Sequence, residues 1–181
     1  MITTARELLA LPVLRRTRPE VLTGDLEVPV RWVHTSEIFE IGALLEGGEL
    51  LLTTGLGLVR ESPHRMAAYI EGLAERQVAG VVLELGRSFA NVPEVMVETA
   101  SECGLLLVAF HEVVPWVQVT EAAHRLLVSR EVTNLRRMNV TSRNLLACVA
   151  RGNDLPGILE AIAREVGMPV GFIGKDASEV W

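Results

Sequence analysis

The stretch GGELLLTTGLG, residues 47–57, decides the fold. Its middle is a short apolar run with no polar alternation, which predicts a strand buried on both faces over residues 49–54 and hence a parallel sheet. Gly47 and Gly48 stop whatever precedes it, and Gly55 and Gly57 open a turn after it. Downstream the pattern repeats. Residues 62–76 carry Met66, Tyr69, Ile70 and Leu73 on one helical face, and residues 80–85, GVVLEL, supply the next strand. Pro93 starts a helix through Val95, Val97 and Ala100 that ends at Gly104, and residues 105–110, LLLVAF, follow as a strand.

Upstream, residues 27–34, EVPVRWVH, read as a strand. Thr35 and Ser36 then read as the cap of a helix carrying Ile38, Phe39, Ile41, Leu44 and Leu45. Thr3 or Thr4 caps a short opening helix that Pro12 terminates. Four strand-like runs alternating with helices predict an α/β domain over residues 1–115, a mainly parallel sheet with covering helices.

Past Pro115 the pattern changes. Residues 117–150 show no strand signal and predict a long connector helix, residues 116–151. Val128, Val132, Leu135, Leu146 and Val149 make its best apolar stripe, interrupted by Asn139 and Ser142. The stripe suits a homodimer through this helix, or else a connector that packs on its own domain. Asp154 caps a further helix over residues 155–166 that closes at Gly167, and residues 168–173, MPVGFI, resemble a strand. Residues 152–181 therefore read as the start of a second α/β unit, too small to bury its own core, and the chain as a fragment of a longer protein.

Composition narrows the function. The 23 acidic residues against 17 basic ones give a formal charge of −6, so no broad positive field awaits a phosphate backbone. Arg15, Arg16 and Arg18, and again Arg136 and Arg137, read as solvated faces, since no aromatics interleave them. Cys103 and Cys148 stand far apart without metal-ligand spacing, as free thiols in a reducing cytosol. No signal peptide or membrane-length apolar run is present. A cytoplasmic protein without cofactor or metal is expected.

Ligands of open parallel sheets collect beyond the carboxyl ends of the strands. That rule selects His34, Ser36 and Glu37 after the first strand, Thr53, Thr54 and Gly55 after the second, Glu84 after the third and His111 after the fourth. Hydroxyls, carboxylates and backbone donors together suit a small polar molecule rich in N–H and C=O groups. Each also has a structural reading: Thr35 and Ser36 as helix caps, Glu37 as a partner of the helix dipole, Gly55 and Gly57 as turn residues. His34, His111 and Glu37 form no catalytic set, because no nucleophile elbow, metal spacing or cofactor fingerprint accompanies them. The lone histidines His64 and His124 read as structural.

PVRWVHTSEI, residues 29–38, with LLEGGELLLTTGLGL, residues 44–58, resembles the N-terminal domain of the purine catabolism regulator (PucR) family of transcriptional regulators. AGVVLELG, VPEVMVETASECGLLL and PWVQVTEAAHRLL continue the resemblance in order, to residue 127. It implies a regulatory, effector-sensing region of a bacterial regulator of catabolic genes, with a GAF-like or GGDEF-like middle domain and DNA reached only through a C-terminal helix-turn-helix. A purine-degradation product or another nitrogenous metabolite is the implied effector, and a structural or dimerisation module with no ligand of its own is the alternative. The family pattern carries a glutamate at Glu37 and TTG at Thr53, Thr54 and Gly55. Trp116 stands where the family commonly has an aromatic.

Overall fold

The computed structural model describes residues 3–152 and 154–172. It divides into two compact units, residues 1–130 and 131–181.

In the first unit, β2 (Trp32–Thr35), β3 (Glu49–Thr53), β4 (Gly80–Glu84) and β5 (Leu106–Phe110) pair in parallel, and β1 (Pro19–Thr23) joins β5 antiparallel. The sheet order is β1-β5-β4-β3-β2. The apolar runs form their strands because both sheet faces are covered: β3, β4 and β5 are buried at every position. On one face Leu51, Val81, Leu105 and Leu107 pack under α3 (Pro63–Glu75) and α4 (Glu94–Cys103), which supply Met66, Tyr69, Ile70, Leu73, Met96 and Ala100. On the other face Leu50, Leu52, Val82, Val108 and Phe110 meet α1 (Ala5–Leu9) and α5 (Trp116–Ala150), through Ala5, Leu8, Val119, Ala123 and Leu127. The mainly parallel α/β sheet with covering helices is as the sequence indicated.

Three local expectations are corrected. The strand over residues 27–34 shortens to β2, because Pro29 has no N–H for a ladder. That segment instead makes an isolated bridge from Pro29 to Thr4, and Val30 N donates to Thr3 O at 2.8 Å. The helix after Ser36 does not form: Ser36 Oγ accepts from Ile38 N at 3.1 Å, and only one 3-10 turn, Ile41–Leu44, follows. Ser36 turns the chain locally, and Glu37 is drawn away to the next strand. Pro12 does more than end a helix, since it opens a second short one, α2 (Pro12–Arg15), as its first residue. The sequence reading also passed over β1, whose half-exposed PEVLT lacks the apolar signal of its neighbours.

In the second unit α5 continues to Ala150, and α6 (Leu155–Val166) starts at Asp154, whose carboxylate accepts from Gly157 N at 3.1 Å. Gly167, at φ +69°, ends α6 as anticipated. Residues 168–172 carry no strand, and the remainder of the anticipated second α/β unit lies outside the described residues.

Candidate functional site

The four parallel strands bring their carboxyl ends to one edge of the sheet, so the predicted rim exists as an edge. Its members are not equivalent. Glu37 reaches from the loop after β2 into the loop after β3. Its carboxylate accepts from Thr53 Oγ1 at 3.0 Å, Thr54 N at 2.7 Å and Leu56 N at 2.9 Å. Thr53 Oγ1 in turn accepts from Gly55 N at 3.0 Å. A Cβ on Gly57 would lie 2.2 Å from Glu37 O, and one on Gly55, at φ +74°, 2.6 Å from the Phe89 ring. The loops after β2, β3 and β4 are thereby locked together, and the polar groups of Glu37 and Thr53 serve that lock. Burial pushes the Tyr69 hydroxyl up from its ordinary pKa, and the charge of Glu37 adds to the shift.

The first glycine pair of the motif works in the same way. Glu49 is buried, and its carboxylate accepts from Glu46 N at 3.1 Å, Gly47 N at 2.9 Å and Arg31 Nη2 at 2.5 Å. The arrangement holds the turn that starts β3. GGELLLTTGLG is thus largely a set of loop fasteners around a buried strand.

His34 and His111 stand apart from that lock. His34 lies on β2 opposite Leu51, beside a cavity of about 280 Å³ shared with Arg31, Trp32, Leu44 and Glu49. His111 turns toward the antiparallel edge, where its Nε2 is 2.7 Å from Glu20 Oε2. Glu20 was not legible as its partner, because β1 itself was not read. His124 confirms its structural reading: Nε2 lies 2.8 Å from Val33 O, and the ring stacks on Trp32 at 4.0 Å.

Glu84 differs from all of these. It ends β4 opposite Phe110 of β5, and its side chain is 1% exposed. Neither carboxylate oxygen accepts a hydrogen bond from a described residue. Arg87 Nε lies 3.0 Å from Oε1, close enough for an ion pair but outside hydrogen-bond alignment, and the Arg87 side chain is itself exposed. A buried carboxylate without hydrogen bonds costs on the order of several kcal/mol.

Its place in the topology is also distinct. After β4 the chain turns to α4 on one face of the sheet, whereas after β5 it turns to α5 on the other. Loops that diverge to opposite faces at the carboxyl ends of adjacent strands mark the usual ligand position in such sheets. The β2, β3 and β4 loops all lead to the same face. Among the described residues no His, Cys, Asp and Glu group is arranged to hold a metal ion, and no helix is long and apolar enough to cross a membrane. Cys103 is exposed and Cys148 buried, both free.

Residues 7–127 match the model of the purine catabolism regulatory protein-like family. Over 151 residues the chain is 20% identical to the purine catabolism regulatory protein of Bacillus subtilis (strain 168), covering 83% of this chain and 28% of that protein. The chain thus spans little more than a quarter of the relative's length. Among solved structures it is similar to the CBS and DRTGG domains of the regulatory region of Clostridium perfringens pyrophosphatase, complexed with the activator diadenosine tetraphosphate. That likeness has a TM-score of 0.40 and 14% identity, over 68% of this chain and 48% of the other.

Proposed function

The chain belongs to the purine catabolism regulatory protein-like family, and from that membership we propose that it is the effector-sensing region of a cytoplasmic bacterial regulator of purine or other nitrogen-compound catabolism. In this reading it is not an enzyme. DNA is contacted by a helix-turn-helix elsewhere in the full regulator, in keeping with the formal charge of −6 here. The effector is a small polar metabolite carrying N–H donors, a purine-degradation product in the first instance. It binds at the carboxyl ends of β4 and β5, and residues 116–151 act as the connector that passes occupancy on.

The observation that carries the site is Glu84, a buried carboxylate whose two oxygens accept no hydrogen bond from a described residue, one of them ion-paired to Arg87, at the point where the loops diverge. Paired N–H groups of an oxidised purine or a ureide match such a carboxylate, and each charge-assisted bond formed there replaces a desolvated atom with a satisfied one. Glu37, Thr53, Thr54 and Gly55 support the site as the fixed wall behind it. Ser36 and His111 take peripheral places along the same edge, whereas His34 lies beside Arg31 and Glu49 at the start of β3 and does not line it.

The test is a thermal-shift screen of the chain against oxidised purines, ureides and amino acids, with calorimetry on any binder. A saturable shift follows from preferential binding to the folded state. Glu84→Gln should weaken binding by roughly tenfold or more, and should melt no lower than the parent without ligand, because a poorly paired buried charge is gone. Unchanged affinity in Glu84→Gln moves the site elsewhere. A folded chain that binds none of these compounds favours the second reading, a structural and dimerisation module. That reading rests on α5, where Val128, Val132, Leu135 and Leu146 are exposed.

A further inference from the structure

We propose that the later part of α5 forms a parallel, in-register two-stranded coiled coil with the same helix of a second copy of this chain, and that Asn139 sets the register. The inference rests on the dimerisation reading of α5 and gives it a geometry. It is independent of the effector site.

Val128, Val132, Leu135, Asn139, Ser142 and Leu146 follow one another in alternating steps of four and three, the spacing of a coiled-coil seam. All six are exposed, Leu135 at 56% and Leu146 at 66%, while Cys148 of the same helix is buried. Exposure of its four apolar members, Val128, Val132, Leu135 and Leu146, is costly in water and is relieved when a matching stripe covers them. In heptad terms Val132, Asn139 and Leu146 take position a, and Val128, Leu135 and Ser142 take position d. A β-branched residue at a followed by leucine at d favours two strands.

Asn139 argues for the register and for an identical partner. A lone asparagine at position a finds a hydrogen-bonding partner in its own counterpart when the helices run parallel and in register. A parallel pairing slipped by one heptad sets its amide against Val132 or Leu146, at the cost of an unsatisfied polar group. The charge pattern points the same way. Counted along the sequence, Glu131 takes position g and Arg136 position e five residues later. Those are the positions that face each other between parallel strands, and they carry opposite charge. A different protein as partner would have to reproduce both the asparagine and the charge order, whereas a second copy supplies them by symmetry.

Light scattering on the full chain should give twice the mass of a single copy. In a background of Cys103→Ser and Cys148→Ala, Val132→Cys and Leu146→Cys are made separately and oxidised. Each should link to its own counterpart as a disulfide-bonded dimer, since only a parallel in-register pair brings identical positions together. Leu135→Asp should shift the mass to that of one copy while the melting temperature of the first unit is kept. A chain that stays monomeric across the micromolar range overturns the proposal. So does a dimer in which neither cysteine variant links to itself, which would place the helices antiparallel or the interface elsewhere. The effector reading stands or falls separately, on ligand binding and its loss in Glu84→Gln.

Discussion

Single residues in this domain divide between those that hold loops and those left with unspent chemistry. Glu37 belongs to the first kind. Its three accepted hydrogen bonds join two loops, so its removal orphans two backbone N–H groups as well as a threonine hydroxyl. Glu37→Ala should cost about 2–4 kcal/mol, read as a lower denaturation midpoint. Gly57→Ala should cost a similar amount, because the new methyl would meet Glu37 O at 2.2 Å. If both variants melt with the parent, the lock is not what fixes the rim. The motif was visible in the sequence as a family mark, but its work was not. A glutamate in a strand–loop segment reads equally as a dipole partner, a ligand contact or a fastener until the atoms that face it are known.

At the scale of elements, the strands with unbroken apolar runs and the helices with capped amphipathic faces were legible, because burial on two faces and the helical period both leave a signature in composition. Edge and bridging pieces were not. β1 is half exposed and is held by pairing with β5 and by Thr23 Oγ1 donating to Leu105 O at 2.7 Å, contacts made far along the chain.

The docking of α5 on α1 is another such contact. Arg130 donates two bonds to the Glu7 carboxylate, at 2.5 and 2.8 Å. This pairing, with the Thr4 N–H also donating, holds the Glu7 carboxyl below its ordinary pKa. A carboxylate whose folded pKa is depressed adds stability above its unfolded value, about 4.3, and loses it as pH falls through the lowered folded value. Glu7→Gln should therefore be less stable than the parent at pH 7, and the gap should narrow as pH falls below about 4.3 and close once pH is below the lowered folded value. Denaturant midpoints of the two proteins across that range provide the check. A gap independent of pH would mean that the ion pair contributes nothing.

For the molecule as a whole, the compact first unit extends to Arg130. Val119, Ala123 and Leu127 of α5 complete one side of its core. A chain ended after residue 130 should unfold cooperatively near the parent temperature, whereas one ended after residue 115 exposes Leu52, Val82 and Phe110 and should aggregate or lose its cooperative transition. Calorimetry on both decides where the domain ends. Equal stability would show the α5 contacts to be dispensable.

By itself the sequence determined the class of fold, the apolar runs of its central strands, the helix caps at Asp154 and Gly167, and membership of a regulator family. Each of these is written in local pattern: period, run length, glycine placement and a motif read in order. Only the tertiary structure decided which rim residues are already spent. It also showed that the loops diverge between β4 and β5 and that Glu84 is buried there, ion-paired to Arg87 but without a hydrogen bond from a described residue. The physical reason is that a polar group's role depends on what satisfies it. In this domain the satisfying atoms lie across the sheet, brought close by packing that no short stretch of sequence encodes.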